Sequence, residues 1–140
     1  MRYYASDMVL NIHSDASYAS ERGTRSRAAG NFLLGWIPRY KSPIFLNGAI
    51  YTLCNIMKFV ASSAVEAELG ALFMNAKEGR IIRLTLEELG HTRLPIPIHC
   101  DNATAAGIAN VTVKIQRSRL MEMQYSYICD QVKKVEFDVM

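Results

Sequence analysis

The chain contains 140 residues, of which 50% are apolar and 21% charged, and this composition fits one globular domain that buries a core without disulfides. Its net charge of +3 permits a polyanionic partner but is too small to predict one. The cysteines are widely spaced without a CxxC pair, and neither a membrane-spanning apolar stretch nor a signal-peptide pattern is present. These features exclude a disulfide scaffold and a membrane span, and we expect a reduced protein of the cytoplasm or nucleus.

The first third of the chain is predicted to form β-strands. Residues 8–12 are a short apolar run, and residues 28–37 (AAGNFLLGWI) are a second run after the polar segment SERGTRSR. This pattern predicts a hairpin. Asn47-Gly48 is typical of a turn, so a third strand is expected within residues 49–53.

A long amphipathic helix is predicted to follow. Ser63 and Glu66 fit a capping box, and apolar residues then recur at helical spacing through Val65, Leu69, Leu72, Phe73 and Ala76. Gly79 is expected to break or kink this helix, and Gly90 to end it.

The remainder of the chain predicts a strand, two helices and a last strand. Residues 96–100 are apolar and end at Asp101, and NATAAGIAN then reads as a short helix. The basic segment 114–119 leads into a longer helix, whose predicted apolar face is Leu120, Met123, Tyr127, Ile128 and Val132. VEFDVM alternates like a final strand, which gives the order βββ, α, β, α, α, β.

Two aspartates stand at equivalent places in this order. Asp15 and Asp101 each follow an apolar run, and strands of an α/β sheet deliver ligand-binding groups at their carboxyl ends. If the two strands are neighbours, the carboxylates approach each other and repel unless a cation neutralises them. Hard oxygen ligands suit Mg²⁺ or Mn²⁺, which are commonly shared with substrate phosphates. The pattern therefore indicates metal-assisted phosphate chemistry.

The long helix offers either Glu66 or Glu68 as a third carboxylate. Both flank the apolar stripe, so helical angles do not separate them. Glu66 has a structural use in the capping box, at the backbone of Ser63, whereas Glu68 has no such local use. This argument favours Glu68.

Each acidic residue also has a purely structural interpretation. Asp15 can close an Asx turn with Ser17 or Tyr18, Asp101 can cap the helix that follows it, and Glu68 can be a solvated helix residue. Segment 114–119 fits a solvated surface as well as a nucleic-acid contact. His13 and His99 precede the two aspartates by two residues and so share their faces, and we interpret both as packed or hydrogen-bonded residues without a ligand role.

Three segments, HSDASYAS, SSAVEAELGAL and IHCDNATAAGIAN, resemble in order and spacing the ribonuclease H domain of Ty1/copia-type retrotransposon polyproteins. The resemblance covers roughly residues 5–139. It implies an α/β, ribonuclease H-like fold with a five-stranded mixed sheet, its first three strands antiparallel, and flanking helices. It also implies cleavage of the RNA strand of RNA·DNA hybrids by a domain that follows the reverse transcriptase portion of a polyprotein, in the cytoplasm, in virus-like particles or in the nucleus.

The resemblance assigns roles to particular residues. Asp15, Glu68 and Asp101 match the catalytic acids that hold two Mg²⁺ ions, with Mn²⁺ as an alternative. Such paired ions lie about 3.5–4 Å apart and clamp the attacking water and the leaving oxygen, so no side-chain nucleophile is required. Contacts to the hybrid are expected from four residues, namely Asn102, Lys114, Arg117 and Arg119.

The sequence also departs from the family. Ribonuclease H domains of this kind carry a fourth acidic residue on a helix after the last strand, and this sequence ends at Met140, within the predicted strand. Glu122 and Asp130 lie on the preceding helix, where the resemblance predicts no ligand. We therefore expect residues 1–140 to be one domain that is incomplete at its C-terminus. The alternative function is a catalytically impaired or inactive remnant that keeps the fold and a weak affinity for nucleic acid.

Overall fold

The computed structural model describes residues 3–37, 41, 46–110 and 119–140. Its elements in chain order are strands β1 (Val9–Ser17), β2 (Arg27–Gly35) and β3 (Leu46–Ile56), helix α1 (Ala64–Glu88), strand β4 (Ile96–Cys100), helices α2 (Ala103–Ala109) and α3 (Arg119–Lys133), and strand β5 (Phe137–Val139). This succession confirms the predicted order of strands and helices.

The strands form one five-stranded mixed sheet in the order β3-β2-β1-β4-β5. The first three strands pair antiparallel, and β4 lies parallel to both β1 and β5. The predicted sheet and hairpin are therefore confirmed. Because β1 and β4 are parallel neighbours, their carboxyl ends lie at the same edge, where Asp15 and Asp101 are found.

Helix α1 covers one face of the sheet, and the core lies between them. Ile12, Phe32 and Ile98 point to this side and are fully or almost fully buried, and they pack in one cluster with Leu69 and Leu72 of the helix. The helix passes through Gly79 without a break, contrary to the prediction. A Cβ at this glycine would lie 2.4 Å from Ile12 Cδ1, so its missing side chain permits a close approach to the sheet.

Helices α2 and α3 pack beside α1. The Phe73 and Tyr127 rings meet edge to face with their centroids 5.3 Å apart, and Ile128 is buried in the main cluster. Met123 was predicted on the apolar face of α3 but is 80% exposed. Tyr127 and Val132 are partly buried against that cluster, and the side chain of Leu120 lies outside the described residues.

The turn predicted at Asn47-Gly48 is wrong, because both residues lie within β3. The register between β2 and β3 shifts near Leu33, which marks a β-bulge opposite this dipeptide. Asn47 exchanges two hydrogen bonds with the backbone of Tyr4, with Oδ1 accepting at 3.0 Å and Nδ2 donating at 2.9 Å. The Asn-Gly pair therefore forms an irregularity inside a strand that is longer than the predicted 49–53.

Charged side chains connect the end of α1 to the residue that precedes β5. Gly90 adopts φ +91° just after the helix, which confirms the predicted stop. Buried Arg83 donates to the Glu136 carbonyl at 3.0 Å and forms ion pairs with Glu136 and Glu87. Among the described residues, no helix is long and apolar enough to cross a membrane.

Candidate active site

Asp15 lies within β1, since the strand continues to Ser17 and does not end at the aspartate as predicted. The strand continues because β2 still pairs with it, Asp15 opposite Ala29. The parallel neighbour β4 ends earlier, with Cys100 opposite Ser14. The Ala16 N–H beyond that point donates to Asp15 Oδ1 at 2.8 Å and to Glu68 Oε1 at 3.2 Å. This one donor brings the carboxylates of β1 and α1 together.

The helix distinguishes the two glutamates that the sequence left open. Ser63 is the N-cap of α1 and its hydroxyl accepts from the Glu66 N–H at 3.2 Å, so the predicted cap is confirmed. The Glu66 carboxylate accepts from the backbone N–H of Ser62, one residue before the predicted partner. Glu68 instead points toward the sheet and is 7% exposed. The solvated alternative for Glu68 is therefore wrong.

Asp101 follows β4 and is exposed, and it does not cap the next helix. Asn102 is the N-cap of α2, since its Oδ1 accepts from the N–H groups of Thr104 and Ala105, each at 3.0 Å. The capping interpretation of Asp101 is thus wrong by one residue. The Asp101 carboxylate takes no part in the cap and faces Glu68.

The three carboxylates form an electrostatically unfavourable group. Burial, and then the negative charges of Asp101 and Asp15, raise the pKa of Glu68 from 4.5 to about 7. The hydrogen bond from Ala16 opposes this shift but does not cancel it. Within the described part of the chain, no lysine or arginine forms an ion pair with any of the three acids.

The donor set fits a divalent cation. Glu68, Cys100 and Asp101 each offer one ligand atom, and these atoms lie within 4.8 Å of one another. Glu68 Oε2 is buried and has no hydrogen-bond partner among the described residues. Carboxylate oxygens suit Mg²⁺ or Mn²⁺. Burial and the neighbouring acids raise the pKa of the Cys100 thiol, which therefore stays protonated at neutral pH and is a poor ligand for a hard ion.

The buried side-chain amide of Asn75 connects α1 to the strands that carry the site. Asn75 of α1 is fully buried, and its Nδ2 donates to Ser14 Oγ and to the Ala29 carbonyl, both at 2.9 Å. These bonds fix α1 to the two strands beside Asp15. The sequence patterns did not predict this contact, although a polar residue next to Ala76 in an apolar stripe was a usable signal.

The residues predicted to contact a hybrid are only partly described. Lys114 and Arg117 lie outside the described residues, and of Arg119 only the backbone, at the start of α3, is described. The oxygen of the Asn102 amide is used in the helix cap, which leaves its NH₂ group as the donor for a ligand. These assignments stay predictions.

His13 and His99 lie side by side on β1 and β4, an adjacency that their positions in the sequence did not predict. They are paired in register, with ring centroids 4.9 Å apart at an interplanar angle of 64°. Burial and the neighbouring His13 lower the pKa of His99, while Asp138 opposes this shift. The rings border an open depression of about 370 Å³ that is lined by His13, Ser14, Asp15, His99, Cys100 and Asp101.

Strand order 3-2-1-4-5, with Asp15 and Asp101 near the carboxyl ends of the parallel strands β1 and β4 and Glu68 of α1 beside Asp101, corresponds to a ribonuclease H-like fold. No family model matches the sequence. The chain is 26% identical over 127 residues to the retrovirus-related Pol polyprotein from transposon TNT 1-94 of Nicotiana tabacum, and the match covers 91% of the chain but 9% of that polyprotein. The predicted resemblance to a retrotransposon polyprotein is confirmed.

Solved structures confirm the fold. LC11-RNase H1, isolated from compost by a metagenomic approach, superposes with a TM-score of 0.61 at 12% identity over 95% of this chain and 83% of that one. The same enzyme in complex with an RNA/DNA hybrid gives 0.58 at 12% identity, covering 94% and 84%. RNase H1 of Halobacterium salinarum gives 0.53 at 12% identity, covering 93% and 80%.

Proposed function

We propose that this chain is a metal-dependent endoribonuclease domain that cleaves the RNA strand of RNA·DNA hybrids during reverse transcription of a Ty1/copia-type retrotransposon. One observation carries the proposal: the buried Glu68 carboxylate lies within 4.8 Å of a ligand atom of Asp101, shares the Ala16 N–H donor with Asp15, and has one oxygen that lacks a partner among the described residues. A purely structural role does not account for such an arrangement, because an unpaired buried carboxylate is costly.

The three acids are proposed to hold Mg²⁺, or Mn²⁺ in its place. Glu68 is anchored by the Ala16 N–H through Oε1, which leaves Oε2 as its ligand atom. The Ala16 N–H holds the carboxylates of Asp15 and Glu68, and Asn75 holds α1 against β1 and β2, before any ligand arrives. When bound, divalent ions supply Lewis-acid stabilisation to the attacking water and the leaving oxygen in hydrolyses of this kind.

Once a cation neutralises its carboxylates, the open depression can admit an extended polyanion. Asp15 and Asp101 are exposed at the sheet edge, so a phosphodiester can approach them from solvent. LC11-RNase H1, which shares the fold, has been crystallised with an RNA/DNA hybrid. We extend that substrate class to this chain, and we place the domain in a polyprotein by its similarity to the TNT 1-94 Pol sequence. Its cellular location stays a prediction.

The test is cleavage of end-labelled RNA in an RNA·DNA hybrid, with Mg²⁺ and with EDTA. Wild type should cut the RNA only with Mg²⁺, and Asp15→Asn should reduce the rate by at least about a hundredfold. Asp130→Asn is the matched control, because Asp130 is exposed on α3 and pairs with Lys134 at 2.7 Å. It should cleave like wild type.

Equal cleavage by wild type and Asp15→Asn would overturn the proposed mechanism. If wild type binds the hybrid without cutting it at any Mg²⁺ concentration, the chain is the catalytically impaired remnant instead.

A further inference from the structure

The face of the sheet opposite α1 carries a pair of imidazoles that the proposed nuclease mechanism does not use. Ile12 and Ser14 point toward α1, since Ile12 meets Gly79 and Ser14 accepts from Asn75. Alternation along β1 therefore turns His13 to the opposite face. On β4 the buried Ile98 faces the core, and His99 shares the face of His13.

We propose that His13 and His99 form a binding site for a divalent transition-metal ion, with ligand atoms other than the carboxylates but in the same depression. The two residues are direct partners in a parallel pair, and neighbouring strands lie about 4.8 Å apart. Their ring centroids are 4.9 Å apart. Imidazole nitrogens bind Zn²⁺ at about 2.0–2.1 Å, so one ion can bridge two rings held at this spacing after rotation about their side-chain torsions.

The chemistry of the pair selects the class of ion. Imidazole suits Zn²⁺, Ni²⁺ and Cu²⁺, whereas Mg²⁺ prefers the oxygens of the carboxylate group. Negative charge nearby favours a bound cation, because Asp138 of β5 acts on His99 and Asp15 stands two residues beyond His13 on the same face. The depression beside the rings is open to solvent and leaves room for the water ligands of the ion.

The experiment is calorimetric titration of the full chain with Zn²⁺ in excess Mg²⁺, which keeps the carboxylate site saturated. Wild type should bind one Zn²⁺ that His13→Ala and His99→Ala each bind about 100-fold more weakly, because loss of one ligand abolishes chelation. His91→Ala is the matched control, since His91 lies in the loop between α1 and β4. It should bind like wild type.

Two further variants make the result decisive. Cys100→Ser should retain the Zn²⁺ affinity of wild type, because the thiol belongs to the group on the Glu68 side. His13→Gln changes an exposed residue and decides the matter if His99→Ala does not fold. Wild-type affinity in the folded His13 variants would overturn the proposal. Loss of binding in Cys100→Ser alone would do the same by assigning the ion to Glu68, Cys100 and Asp101.

Discussion

The pKa of Glu68 predicts how stability depends on pH in the metal-free protein. The carboxyl has a folded-state pKa of about 7 against an ordinary value of 4.5, so the native state binds this proton more tightly than the unfolded state does. The free energy of unfolding contributed by Glu68 is therefore highest below pH 4.5 and is lost as the pH rises through about 7. At about 1.4 kcal/mol per pKa unit, the loss amounts to at most about 3 kcal/mol, because water at the exposed Asp15 and Asp101 screens part of the repulsion.

The assay is urea unfolding of wild type and Glu68→Gln between pH 5 and pH 8 in EDTA. Wild type should lose stability relative to the variant by about 2–3 kcal/mol over this range, and Mg²⁺ at pH 8 should restore part of it to wild type alone. Glu66→Gln is the matched control, because glutamine also serves in a capping box, and its profile should follow wild type. Parallel profiles for wild type and Glu68→Gln, or a Glu68 carboxyl that titrates near 4.5 by carbon NMR, would refute the electrostatic account of the site.

Three further predictions concern the framework around the site. Gly30→Ala places a Cβ 1.9 Å from Asn75 Oδ1 and should destabilise the fold by about 2 kcal/mol or more in urea unfolding. This loss of stability should be smaller when Asn75→Ala is also present, because the clash is then removed. Additive losses in the double variant would contradict the contact between these two residues. Arg83→Ala should destabilise the fold by about 2–3 kcal/mol, because it removes one of the two arginines paired with the Glu136 carboxylate and leaves Arg93 as the other. A loss below about 1 kcal/mol would show the Arg83 ion pair to be unimportant. Asn102→Ala should destabilise by about 1 kcal/mol through the lost cap of α2, and Asn102→Asp should recover most of it in the same assay.

The fold was largely predictable because its strands and helices follow hydrophobic periodicity. β4 was placed to the residue at 96–100, and the Ser63 cap located the start of α1. The errors occurred where a tertiary contact overrides a local signal. Gly79 serves close packing against Ile12 and does not end the helix, and Asn47 bonds to Tyr4, a contact 43 residues away in sequence that no local pattern reveals.

The sequence predicted the acidic residues of the site but not the contacts that position them. Asp15 and Asp101 stood out because each ends an apolar run, and parallel pairing of their strands brings them together. Glu68 was distinguished from Glu66 by a capping argument and by the family resemblance, and the hydrogen bond from the Ser62 N–H to Glu66 supports the capping argument. The shared Ala16 donor, the Asn75 support and the juxtaposed imidazoles depend on strand register, which the sequence does not specify.

The most direct test of the central claim is anomalous diffraction from crystals of the protein soaked in Mn²⁺. The three-acid account predicts an anomalous peak within coordination distance, about 2.1–2.4 Å, of carboxylate oxygens from Asp15, Glu68 and Asp101. The peak should vanish in crystals of Asp15→Asn. Strong Mn²⁺ peaks elsewhere on the molecule, with none among these carboxylates at saturating concentration, would contradict it.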